Sequence, residues 1–331
     1  MRKALLSMAT ILATAILVAS VSSAAEPSPR AARQKKLNVL FIGNSFTAGH
    51  NLARVVKAMA EAGDPDLSFD VTTVIYGGRR LVDHWRLGTP NFVKISTLTA
   101  EEEQATVKSL EEMIAKDPKD RYAPSALARH RQLSKSLDAQ RKKWDLVVLQ
   151  SWRDDLEGDK SLYVQYAPKY AELIKAQGGR VVLYETTPTT QNSKPLTVPP
   201  DPAPVTAKAR TISALAKQID AIVVPMSMVA LRCQTVRPDL TLRWVKDGHP
   251  NQTMGYLTAC TFYAALFNRS PEGLPIDTVN DSRSKGGKPA QDPDGEPLKR
   301  TFSSKDRADL QRIAWEGLKQ FQQVAASTGH R

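Results

Sequence analysis

Cysteine is nearly missing from this chain of 331 residues: Cys233 and Cys260 are the two it has, too few for a small disulfide-stapled scaffold. Long hydrophobic runs are equally scarce. One, at 4–21, nears the length that spans a bilayer and no other stretch does, which excludes a polytopic membrane protein. Histidine is limited to five residues, and no cluster of His, Cys and Glu has metal-ligand spacing, so neither a metal nor another cofactor is expected. No repeat recurs at a fixed period, which argues against a solenoid or propeller. Aromatic residues make up 6% and are not interleaved with basic ones. The net charge of +12, to which Arg2 and Lys3 contribute, therefore reads as solvated surface, and no nucleic-acid partner is expected.

What is present is close to the globular average, with 41% hydrophobic and 24% charged residues. The length fits one large domain or one domain with an insertion. Residues 1–25 have the three-part pattern of a secretory signal peptide: Arg2 and Lys3, the apolar run, then small residues with cleavage after Ala24 or Ala25. Residues 26–36 (EPSPRAARQKK) read as a disordered leader, so the domain is expected over 37–331. The protein is then secreted or periplasmic with no stable membrane insertion, or membrane-anchored if the signal stays uncleaved. Export would permit a Cys233–Cys260 disulfide, but Cys260 falls in an apolar run where a buried thiol is the ordinary alternative.

Five runs rich in β-branched and aliphatic residues, at 38–42, 69–75, 145–149, 180–184 and 221–225, read as buried parallel strands. Helical periodicity marks 52–62, 166–177, 207–219, 254–267 and 304–324. The alternation predicts an open α/β sheet with helices on both faces and function at the carboxyl ends of the strands. Two segments interrupt it: 86–143, whose runs of Glu, Lys and Arg predict a polar helical insertion, and 277–305, which reads as an exposed loop.

The first strand runs into LNVLFIGNSFTAGHN. Ser45 lies at a strand-to-helix turn, where an α/β sheet exposes a nucleophile and where a serine equally serves as a helix cap. Some two hundred residues later WVKDGHPNQTMGYLTACTFYAALF brings Asp247 and His249 just ahead of a helix. An early hydroxyl with a late Asp-x-His is the complement for acyl transfer: nucleophile, base, and a carboxylate that fixes the imidazole tautomer. His50 and His84 compete with His249 for the base.

In these residues the chain resembles the SGNH/GDSL hydrolase superfamily, in particular its exported branch whose first block reads IGNSFT. Residues 42–47 are similar to that first block with Ser45 as nucleophile. Residues 76–79 (YGGR) are similar to the second, with Gly78 as oxyanion donor, and 247–250 (DGHP) to the last, with His249 as base. The resemblance implies an α/β fold, a three-layer α/β/α sandwich on a five-stranded, mostly parallel, flavodoxin-like sheet. It implies no cofactor and an oxyanion hole built from Ser45, Gly78 and a third donor. The chain departs from the pattern twice. Lys246 stands where the last block has aspartate, leaving Asp247 as the carboxylate, and Gln150, with Ser151 as rival, stands where the third block has asparagine.

The expected activity is a serine esterase acting through an acyl-enzyme. A roof dominated by charged side chains, with Arg79, Arg80 and Arg153 beside the site loops, favours a short acyl group, such as O-acetyl, on a small-molecule or polysaccharide ester. A lysophospholipase or arylesterase, and a catalytically weakened carbohydrate-binding protein, are the alternatives.

Overall fold

The computed structural model describes residues 35–152, 156, 161–186, 191–281 and 290–327. The expected signal peptide, most of the expected leader, and Arg153 lie outside them. Strands β1 (Lys35–Gly43), β2 (Leu67–Ile75), β3 (Leu146–Gln150), β4 (Arg180–Glu185) and β5 (Ala221–Pro225) form one parallel sheet in the order β2-β1-β3-β4-β5. This is the flavodoxin-like order, whose switch point lies between β1 and β3. β1 starts three residues earlier than its apolar run, because Lys35 and Lys36 continue the ladder opposite Leu67 and Ser68; those two lysines are strand and not leader.

Both faces of the sheet are covered, and each strand is apolar without alternation for that reason. On one face Leu40, Ile42, Val147, Leu149, Val181 and Leu183 pack with helices α3 (Leu81–Arg86), α4 (Thr89–Val93), α5 (Ala100–Lys116), α6 (Ala123–Lys135), α8 (Leu162–Lys175) and α9 (Ala203–Ile219). Val39, Phe41, Val148, Val182 and Val224 face the other way. They meet α2 (Leu52–Gly63), α10 (Met226–Val236), α11 (Gln252–Phe267) and α12 (Ser304–Ser327). Short helices α1 (Ser45–Ala48) and α7 (Leu137–Gln140) follow β1 and α6, and a 3-10 turn at Gly49–Asn51 joins α1 to α2.

The insertion is helical as expected, with one difference in character. Glu103, within an acidic run, is buried and accepts hydrogen bonds from His130 Nδ1 at 2.8 Å and Asn91 Nδ2 at 2.8 Å. The segment 277–305 is only partly loop, since β6 (Thr278–Asn280) pairs antiparallel with β7 (Lys299–Thr301). Cys233 and Cys260 are both free and buried among apolar side chains. Burial pushes the Cys233 thiol up to about 12 and raises that of Cys260 as well, so both are inert hydrophobes and not a disulfide. No helix among the described residues is long and apolar enough to cross a membrane.

Candidate active site

The chain leaves β1 at Gly43 and turns at once into α1. Asn44 is the N-cap, its Oδ1 accepting the Phe46 N–H at 3.0 Å, so the turn is capped by asparagine and the Ser45 hydroxyl is released from that duty. Gly43 has no room for a side chain: a Cβ there would stand 2.4 Å from both Gln150 Oε1 and Thr47 Oγ1.

Ser45 Oγ lies 2.9 Å from His249 Nε2. On the other side of the ring, Nδ1 is in close contact with Asp247 Oδ1, and the same oxygen accepts the His249 backbone N–H at 3.1 Å. A carboxylate at Nδ1 places the ring proton there and leaves Nε2 to accept from the serine. The aspartate reaches the imidazole two residues on by an Asx-turn, the side chain capping the i+2 amide. Gly248 is not among the residues with positive φ, so the turn does not draw on glycine's special backbone freedom. The His249 side chain is 30% exposed and that of Asp247 10%, a partly open ring beside a sheltered carboxylate.

The other two candidate bases, His84 and His50, make no hydrogen bond to Ser45 Oγ. His84 is fully buried, its Nε2 donating to the Gly43 carbonyl at 3.0 Å and its Nδ1 accepting from Thr89 Oγ1 at 3.1 Å. Desolvation lowers it to about pKa 4, so it stays a neutral strut behind the Ser45 turn. His50 is buried as well, with Nε2 2.9 Å from the Pro250 carbonyl. Only His249 meets Ser45 Oγ among the described residues.

Gly78 sits at φ +68° in a turn closed by the Arg79 N–H on the Tyr76 carbonyl at 3.1 Å. That turn is tied to the Ser45 turn by Asn44 Nδ2 donating to the Arg79 carbonyl at 3.1 Å. The Ser45 and Gly78 backbone N–H groups have no acceptor among the described residues, as an oxyanion hole requires.

Gln150 does not complete that hole as expected. Its Nε2 donates to Asn44 Oδ1 at 2.7 Å and to the Ser151 carbonyl at 3.1 Å, which uses both hydrogens. Its Oε1 accepts from the Asn44 N–H at 2.9 Å and from the Thr47 hydroxyl. The amide is a brace under the turn and has no donor left for substrate. Ser151, its rival, is fully buried and occupied with Thr186, whose N–H it accepts at 2.8 Å.

Two supports of the Asp247–His249 loop carry no motif that marks them. Asp294 accepts the Val245 and Lys246 N–H groups at 2.9 and 3.0 Å. Asp292 accepts from Trp244 Nε1 at 3.3 Å. Beside the serine, a cavity of about 10 Å³ is lined by Phe46, Gly49, His50, Trp244, His249 and Pro250. A cavity of about 1030 Å³ lies away from the serine, against the start of β5 and the ends of α9 and α12.

No protein-family model and no curated protein matches the chain. Three solved chains match in structure. One is a candidate SGNH hydrolase from Slackia heliotrinireducens, 17% identical at a TM-score of 0.41, the match covering 70% of this chain and 100% of that one. Another is TesA, 15% identical at a TM-score of 0.36, covering 67% of this chain and 93% of its own. At these values the likeness carries no inference about chemistry, which rests on the geometry around Ser45.

Proposed function

We propose that this protein is an exported serine esterase of the SGNH/GDSL type, hydrolysing short acyl esters, O-acetyl foremost, on a carbohydrate. The observation that carries the reading is the continuous hydrogen-bonded series from Ser45 Oγ through the His249 ring to Asp247. In the reaction His249 Nε2 takes the Ser45 proton as Oγ attacks the acyl carbon, and the carbonyl oxygen becomes an oxyanion held by the Ser45 and Gly78 N–H groups. His249 then passes the proton to the departing alcohol, leaving an acyl-serine. Water, deprotonated by the same ring, releases the acid and restores the serine. The Asp247 carboxylate stabilises the imidazolium in both halves.

The small cavity at the serine supports a short acyl group, since its volume is about that needed to admit one water-sized group. A polar carrier is supported by the rim. Tyr122, at the head of α6, donates from its hydroxyl to the Gly77 carbonyl at 2.7 Å, and the Arg79 guanidinium lies 4.4 Å from its ring centre. The insertion thus meets the oxyanion turn and its Arg79 with a phenol and not with an apolar wall. Export is inferred from residues 1–25 alone.

A fluorophosphonate probe followed by peptide mapping tests the reaction class: labelling at Ser45 is expected, and an unlabelled protein overturns the esterase reading in favour of a binding protein of this fold. Comparing p-nitrophenyl acetate with the octanoate tests the acyl length. Faster turnover of acetate is expected; preference for octanoate would favour the lysophospholipase or arylesterase alternative.

A further inference from the structure

We infer that His50 is a positioning residue that keeps the Ser45 turn and the His249 loop in register, and that Asp281 holds His50 in place. The inference rests on the esterase reading and adds to it a residue outside the Ser-His-Asp set.

His50 adopts φ 58° and Asn51 φ 51°, two successive non-glycine residues in the left-handed region at the joint between α1 and α2. Such backbone costs energy and persists where its surroundings over-determine it. Here they do. The His50 N–H donates to Asp281 Oδ1 at 3.3 Å. Trp244 packs on the ring at 5.5 Å between centres. Gly255 leaves the space the ring fills, for a Cβ there would stand 2.5 Å from it.

The ring spends its far nitrogen on the Pro250 carbonyl at 2.9 Å. A carbonyl only accepts, so Nε2 carries the proton. Pro250 follows His249 directly, and His50 follows the one-turn helix that Ser45 begins. One imidazole therefore bridges the two halves of the site, 200 residues apart in sequence, while Asp281 anchors it from the end of β6. The distance between Ser45 Oγ and His249 Nε2 depends on that bridge.

The test compares His50→Leu, which removes the donor, with His50→Gln, which keeps an N–H in reach of the Pro250 carbonyl. For His50→Leu, kcat on p-nitrophenyl acetate should fall about 100-fold, the scale of a 1 Å misplacement, with KM changed by less than about threefold. Amide exchange over 247–251 should quicken. His50→Gln should restore kcat at least about tenfold at the same thermal midpoint as the leucine variant. A purely structural role would lower both variants in step with their stability. A folded His50→Leu with kcat within about threefold of wild type overturns the inference. Should His50→Leu not fold, His50→Gln against Asp281→Ala, which removes the acceptor of the His50 N–H, gives the same comparison, the alanine variant alone losing kcat and protection over 247–251. If wild type neither hydrolyses esters nor takes the probe at Ser45, the esterase reading fails, and exchange over 247–251 then decides whether His50 holds the loop.

Discussion

Gln150 and Asn44 hold each other by a reciprocal pair of hydrogen bonds, the Asn44 N–H to Gln150 Oε1 at 2.9 Å and Gln150 Nε2 to Asn44 Oδ1 at 2.7 Å. The pair stitches the end of β3 to the turn that carries Ser45. Both residues are buried, so removal of the amide strands a backbone donor away from water. Gln150→Leu should lower stability by about 1–3 kcal/mol in urea unfolding and lower kcat with it. Unchanged unfolding would show that the turn stands without its brace.

Ser45 tests the reaction itself. Asn44 caps α1, and the serine hydroxyl meets His249, so Ser45→Ala deletes the proposed nucleophile and no cap. Loss of ester hydrolysis and of probe labelling at an unchanged thermal midpoint is the expected result. Activity within about tenfold of wild type would move the nucleophile elsewhere.

The short Asp-x-His spacing makes a quantitative claim. With Asp247 on Nδ1 of His249, Asp247→Asn should cost on the order of 10,000-fold in kcat, the scale that the loss of a triad aspartate's charge has in serine proteases. His249→Ala should be comparably severe, since the serine loses its base. A nearly active Asp247→Asn beside an inactive His249→Ala would leave a Ser–His dyad.

His84 predicts how stability follows pH. Its ring is held down to about pKa 4 by desolvation, so between about 6.5 and 4 the unfolded chain binds a proton that the folded chain does not. This contribution is complete above about pH 6.5 and is lost as pH falls toward 4. Urea unfolding at successive pH values should show wild type losing stability over that window, and His84→Gln, though less stable at neutral pH, losing less of it. Equal slopes would mean that the buried ring titrates normally.

The parts of the site that travel with a short stretch of chain are legible in the residues themselves. Ser45 follows a strand of continuous aliphatics and precedes a periodic helix, and the Asp247–His249 pair closes on itself by a local turn, so residue type and spacing carry the information. The five strands are legible for the same reason: a strand buried on both faces must be apolar throughout. Helix α10 is not, because Met226, Met228, Val229, Ala230 and Cys233 are buried around its circumference and leave no polar face for a period to show. Gln150 and His50 mark the other limit. Gln150 has the chemistry of an oxyanion donor, and His50 that of a base; neither takes that role, because their hydrogen-bonding groups meet partners 106 and 200 residues away. Those distances exist only in the folded chain. Sequence determined which functional groups are available and which lie at strand ends; the tertiary structure decided which of them remained free to act, since each buried polar atom must find a partner and the fold chooses it.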